Sequence, residues 1–141
     1  MRCRDIMKRD IETVSPEATV QDAAQRMRDA AIGFLPVCDG SKKVVGTVTD
    51  RDLTIRVLAD GREATTPISD VLTAGCVACG PDDDLGKAED LMARNQKSRI
   101  MCVDSDGQLV GVISLSDIAQ REKGGKAAKT LREVSQREAR A

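Results

Sequence analysis

The chain has no histidine, no tryptophan and no tyrosine, and its one phenylalanine is Phe34. Without histidine it lacks the commonest general base, the commonest metal ligand and the usual switch near neutral pH. With aromatics at 1%, a core must be built from Val, Ile, Leu, Met and Ala. No apolar run approaches the roughly 18 residues of a membrane-spanning helix. The opening "MRCRDIMKRD" carries no apolar secretory core. Charge of one sign is also missing, with 22 basic against 23 acidic residues. Whole-chain charge therefore recruits neither nucleic acid nor membrane. A cytoplasmic protein without a membrane partner is the expectation. The five cysteines, Cys3, Cys38, Cys76, Cys79 and Cys102, are odd in number and lie mostly in apolar stretches. That suits reduced thiols serving as small hydrophobes rather than a disulfide framework.

What is present is a phrase written twice. "GTVTDRD" begins at Gly46, and "GVISLSD" begins at Gly111, 65 residues later. Sliding the chain by 65 aligns residues 5–57 with 70–122 without a gap. Asp5 meets Asp70, Pro16 meets Pro81, Ala23 meets Ala88, Met27 meets Met92, Asp39 meets Asp104 and Arg56 meets Arg121. Other pairs keep their character, as in Val20/Leu85, Leu35/Ile100 and Thr49/Ser114. The chain is an internal duplication.

Each copy reads β-α-β-β-α. A short apolar stretch comes first ("IETV", "CVAC"), then Pro. A helix follows, with Val20, Ala23, Ala24 and Met27 on one face and Thr19 as N-cap with Asp22 three residues on. Two strands come next, "FLPVC" and "KVVGTVT", then "RIMCV" and "QLVGVIS" in the second copy. Asp39-Gly40 and Asp106-Gly107 mark the turns between them. The last helix begins at the repeated phrase. The expected fold class is α+β, two pseudo-symmetric β-α-β-β-α units packed sheet to sheet, because a unit of about 55 residues cannot bury its sheet alone. The expected boundaries are 1–61 for the first unit, 62–69 for a linker, 70–122 for the second unit, and 123–141 for a polar tail, helical or disordered.

The phrase has two readings. Thr49 with Asp52, and Ser114 with Asp117, have the spacing of capping boxes. Asp52/Arg56 and Asp117/Arg121 stand four apart in the favourable order. Those features alone explain each copy structurally. The same geometry also suits a ligand. A hydroxyl and a carboxylate at a helix start lie beside free backbone N–H groups that favour phosphate. A carboxylate accepts two hydrogen bonds, matching the adjacent hydroxyls of a ribose.

The order of these features resembles a tandem pair of CBS domains, named for cystathionine β-synthase. The resemblance covers roughly residues 3–122. It rests on "RDIM", "VSPEATVQDAAQRM", "GFLPV" and "GTVTDRDL", and on the paler "SDVL", "CGPDDDLGKAEDLM", "SRIMCV" and "GVISLSDI". It implies a regulatory module without catalysis or required cofactor, binding AMP, ADP or ATP between paired units, with NAD and S-adenosylmethionine as alternatives. It also implies a homodimer and a separate effector protein, as in a stand-alone CBS pair. Carried over by position, Asp52 and Asp117 hold ribose, assisted by Thr49 and Ser114. Arg51 and Arg99 reach phosphate. Thr13, Val14, Leu35, Pro36, Val77, Ala78 and Met101 lie along the adenine slots. The second copy departs from the family pattern after Arg99, where Met101 stands in the place of Pro36. Phe34 stands in the place of Arg99, so the two sites are not expected to be equivalent.

Two rivals remain. Cys76-x-x-Cys79 is a redox or metal motif on paper. It aligns with Ile11 and Val14, however, and strand positions three apart face opposite sides. From Glu122 onward the tail holds six basic and three acidic residues, an excess that offers a nucleic-acid contact but is commoner in solvated chain ends.

Overall fold

Val20, Ala23 and Met27 turn inward together because they recur at helical spacing, and the helix they define is α2, Val20–Ala30. The computed structural model describes residues 1–121 and 125–139. Thr19 and Asp22 form the reciprocal cap, with the Asp22 N–H donating to Thr19 Oγ1 at 3.1 Å and the Thr19 N–H to Asp22 Oδ2 at 3.0 Å. The helix ends at Ala31 in the left-handed conformation, φ 56°. The second copy repeats this as α4, Leu85–Asn95, capped by Asp84 and ended by Gln96 at φ 51°.

The architecture is α+β, with two three-stranded sheets. One sheet joins β1 (Phe34–Cys38), β2 (Val44–Thr49) and β3 (Thr73–Ala74). The other joins β4 (Ala78–Cys79), β5 (Arg99–Val103) and β6 (Leu109–Ser114). In both hairpins the register slips by one residue at equivalent places, Val37/Cys38 and Cys102/Val103. The turns are held by Asp39 and Asp104, whose Oδ1 atoms each accept two backbone N–H groups. The left-handed residue in the first turn is Lys42, at φ 63°, rather than Gly40, while the second turn uses Gly107 at φ 80°.

The expected first strands are very short. "IETV" contributes one bridge, Val14 to Val37, and "CVAC" contributes only β4, parallel to β5. Pro16 and Pro81 follow at once and have no N–H to extend a ladder.

The chain packs as two compact units, one of Met1–Ile11 with Val77–Ala141 and one of Glu12–Cys76. These units cross the repeat boundaries. The opening turn α1, Cys3–Ile6, packs in the core that contains β5 and α4, while Ile68 and Val71 pack in the core that contains β1 and α2. The exchange is reciprocal, bond for bond. The Cys3 N–H donates to the Asp83 carbonyl, the Arg4 N–H to Pro81 and the Leu85 N–H to Met1. Sixty-five residues away, Ile68 donates to Ala18, Ser69 to Pro16 and Val20 to Thr66. Lys8 pairs with Val112 of β6 as Thr73 pairs with Thr47 of β2. The segment expected as a linker therefore leads directly into the completion of the first sheet.

After β2 the chain enters α3, Asp50–Leu53, which continues as a π-helical turn over Thr54–Leu58. There the Thr54 hydroxyl donates to the Asp50 carbonyl at 3.0 Å. The second copy forms a regular helix, α5, Leu115–Arg121. Within the segment read as a tail, α6 spans Lys126–Ala139. It docks through Val134, buried in the α4 core, and through Thr130 Oγ1, which donates to Glu89 Oε2 at 3.0 Å. The expected end of the second unit at residue 122, and tail residues 123, 124, 140 and 141, lie outside the described residues.

Gly46 and Gly111 in the repeated phrase are where the exchanged segments cross the sheets. A Cβ on Gly46 would collide with the Thr73 carbonyl oxygen, and one on Gly111 would lie 2.5 Å from Met7 Sδ. A carbonyl in a ladder cannot yield, whereas a methionine side chain can in part. Gly46→Ala should therefore cost about 1–3 kcal/mol, and Gly111→Ala less. Urea unfolding checks the ranking, and a neutral Gly46→Ala would contradict it.

Candidate functional site

The two phrases end their strands beside the start of a neighbouring strand. Phe34 is the register partner of Thr49, and Arg99 is the partner of Ser114. The next backbone bonds match as well, with the Asp50 N–H donating to Gly33 at 3.0 Å and the Leu115 N–H to Ser98 at 2.8 Å. Each helix start is thereby held against the entrance of β1 or β5. Around β1 the same unit brings Thr13 and Val14 to the opposite side, where the Val14 N–H donates to the Pro36 carbonyl at 3.1 Å. Around β5, Ala78 pairs with Met101, and the Met101 N–H reaches the Val77 carbonyl at 3.4 Å.

The capping reading of the phrase is present in full. The Thr49 N–H donates to Asp52 Oδ2 at 3.0 Å, and the Asp52 N–H donates to Thr49 Oγ1 at 3.1 Å. In the second copy the Ser114 N–H donates to Asp117 Oδ2 at 2.9 Å, and the Asp117 N–H to Ser114 Oγ at 3.1 Å. Ser114 Oγ also lies 2.8 Å from Ser116 Oγ. One oxygen of each carboxylate is therefore committed to its own helix. The other meets a cation. Asp52 Oδ1 lies 3.8 Å from Arg56, and Asp117 Oδ1 lies 3.4 Å from Lys8.

The partner of Asp117 differs from the expected Arg121. In the first copy Arg56 also donates to the Val71 carbonyl and to Thr73 Oγ1 of the exchanged segment. In the second copy the exchanged segment carries its own charge, because Lys8 stands in the place of Thr73. Lys8 is the residue that sequence reasoning passed over. The 65-residue alignment does contain the signal, a lysine against a threonine beside the phrase. Its weight became visible only once the segment was seen to cross into the other repeat's sheet.

Asp52 and Asp117 are both mostly covered, with side chains 14% and 15% exposed. For Asp117, burial pushes the carboxyl up. The backbone and hydroxyl of Ser114, with Lys8 beside it, outweigh burial and hold it below its ordinary value. Arg51 is exposed on the first turn of α3, its N–H donating to Asp50 Oδ1 at 2.9 Å, and Arg99 is exposed at the head of β5. The residues assigned to the adenine slots divide. Val14, Leu35, Pro36 and Met101 have buried side chains, while Thr13, Val77 and Ala78 are half-buried.

Cys76 is exposed and Cys79 is buried, so the two thiols of the Cys-x-x-Cys do not converge. Among the described residues no group of three or more His, Cys, Asp or Glu is placed to hold a metal ion. No helix among them is long and apolar enough to cross a membrane.

Comparison with known proteins places these features. A family model described as the CBS domain matches residues 3–59 and again 68–124. The chain is 36% identical over 125 residues to the CBS domain-containing protein YhcV of Bacillus subtilis, covering 89% of this chain and 88% of that protein. Among solved structures it resembles Hypoxic Response Protein I, determined with two coordinated zinc ions, at a TM-score of 0.79 and 29% identity, over 87% of this chain and all of that one. It also shares the fold of CBSX2, solved in complex with AMP, at a TM-score of 0.74 and 22% identity, over 93% of this chain and 98% of that one.

The Asp117 charge has a measurable signature. Its carboxyl is held below the ordinary carboxylate value in the folded chain, so it stabilises the fold above that value. The contribution is lost as pH falls through the folded value. Asp117→Asn keeps an oxygen acceptor for the cap but removes the charge. At neutral pH it should cost about 1 kcal/mol, the difference between a charge-assisted and a neutral hydrogen bond. Urea midpoints at pH 7 and pH 3 should show the gap closing in acid. An equal gap at both would contradict the assignment.

Proposed function

Because the chain belongs to the CBS domain family, with two such domains in tandem, we propose that it is a non-catalytic regulatory module that binds an adenine nucleotide, AMP, ADP or ATP. The observation that carries this reading is the second oxygen of each capping carboxylate, which the cap does not use. Oδ2 of Asp52 and of Asp117 serves the helix, while Oδ1 faces one cation each, Arg56 or Lys8. A carboxylate offers about four lone-pair sites, so a cap and a cation leave room for a ribose hydroxyl. The hydroxyls of Thr49 and Ser114 stand at the same helix starts. Arg51 and Arg99, exposed beside them, supply phosphate contacts. Backbone near Thr13, Val14, Leu35, Pro36, Val77, Ala78 and Met101 supplies adenine contacts. The complex of CBSX2 with AMP supports the reading at the level of the fold, which accommodates an adenine nucleotide. The zinc of Hypoxic Response Protein I is not carried over.

A regulatory module without chemistry of its own acts through others. The proposal therefore includes a homodimer in the cytosol and an effector protein that senses the liganded state. Ile55 and Leu58, exposed on the π-helical turn, offer apolar surface for a second copy.

Calorimetry with AMP and ATP tests binding, and native mass spectrometry reads nucleotides per chain and the oligomer together. Asp52→Ala should weaken affinity by about 1.5–3 kcal/mol, the worth of a charged acceptor, while losing about 1 kcal/mol of stability with its cap. Arg51→Ala and Arg99→Ala should weaken AMP more than adenosine. The absence of heat with either nucleotide on wild-type protein would overturn the proposal.

A further inference from the structure

Three cysteines far apart in sequence meet in the core that contains α4 and β5. Cys79 Sγ lies 3.4 Å from Cys3 Sγ and 3.5 Å from Cys102 Sγ. All three are buried. They come from α1, β4 and β5, and the reciprocal exchange of the opening segment is what brings Cys3 to the other two. The equivalent positions in the other unit are Ile68, Val14 and Val37, so the duplication holds one thiol cluster and one aliphatic cluster. Packing alone needs no sulfur there.

We propose that this cluster is a two-electron redox site in which a hydroperoxide converts Cys3 and Cys79 into a disulfide, tying the first helical turn to β4. The sulfurs must close by about 1.4 Å to reach the length of a disulfide. Cys79 and Cys102 are register partners on hydrogen-bonded parallel strands, and both backbones are pinned. Cys3 comes from a single helical turn outside the sheet, so its thiol can rotate toward Cys79 without breaking a strand ladder. Hydrogen bonds from Cys102, and then from Cys3, pull the Cys79 thiol below its ordinary value, while Cys102 is pushed up by Cys3 and Cys79. Cys79 also sits between the other two sulfurs, so its thiolate can accept a hydrogen bond from each, and that position makes it the nucleophile.

The chemistry balances in two steps. The Cys79 sulfur attacks one peroxide oxygen, the O–O bond breaks, and the departing hydroxide takes the thiol proton as water. This leaves a sulfenic acid. The Cys3 sulfur then attacks the Cys79 sulfur. The S–S bond forms, the S–O bond breaks, and hydroxide leaves with the Cys3 proton as a second water. Two thiols are oxidised and one peroxide is reduced. The new bond encloses the whole of the Glu12–Cys76 unit in a covalent loop, which lowers the entropy of the unfolded chain.

The test uses the full chain carrying Cys38→Ser and Cys76→Ser, which leaves only the three clustered thiols. Reduced protein is treated with equimolar hydrogen peroxide, alkylated and mapped. The expected result is a loss of two hydrogens, a Cys3–Cys79 linked peptide and an alkylated Cys102. The unfolding temperature should rise on oxidation and return with dithiothreitol. A Cys79–Cys102 link, sulfinic or sulfonic acid without a link, or three alkylated thiols would each overturn it. The mapping needs no substitution within the cluster, so it does not depend on whether Cys3→Ser folds.

Discussion

Each copy's last helix starts from a carboxylate that must satisfy its own backbone before it can serve anything else. Asp52 and Asp117 accept N–H groups from Thr49 and Ser114, and those bonds fix the angle at which helix leaves strand. Because the carboxylate is gripped at one oxygen, the other is aimed as well. A side chain held this way loses little further rotamer freedom on meeting a ligand. The structural and functional readings of the phrase are therefore not rivals. The cap is what makes the carboxylate a pre-organised acceptor.

The second constraint is the reciprocal exchange of opening segments. Neither sheet is complete within its own repeat. β2 needs Thr73–Ala74, and β6 needs Lys8. This explains why the phrase begins with glycine, since a segment crosses directly over it in both copies. It also explains the asymmetry between the copies. The crossing segment brings a threonine to Arg56 in one copy and a lysine to Asp117 in the other. Arg56 serves Asp52 from its own helix, while Lys8 serves Asp117 from the far end of the chain.

Much of this was legible beforehand. The repeat, the α+β class, α2 with its Thr19 cap, the hairpins and both capping boxes follow from periodicity and turn chemistry, which are local. The exchange was not legible, because ungapped self-similarity says which residues are equivalent but not which copy they pack with. The cysteines show the same limit. Their apolar surroundings correctly read as buried for Cys3, Cys79 and Cys102, yet only the three-dimensional path brings those thiols together. The turn at Asp39-Gly40 was legible, but its conformation was not, because the two bonds to the Asp39 carboxylate place the left-handed residue at Lys42.

The central claim is that the two capping carboxylates are also the ribose acceptors. Amide NMR of the wild-type chain, titrated with AMP, tests it most directly. The account predicts saturable shifts centred on Thr49–Leu53 and Ser114–Ile118, with smaller shifts along β1 and β5 and little change in α6. Saturable binding that leaves both phrases unperturbed, or no shifts at millimolar AMP, would contradict it.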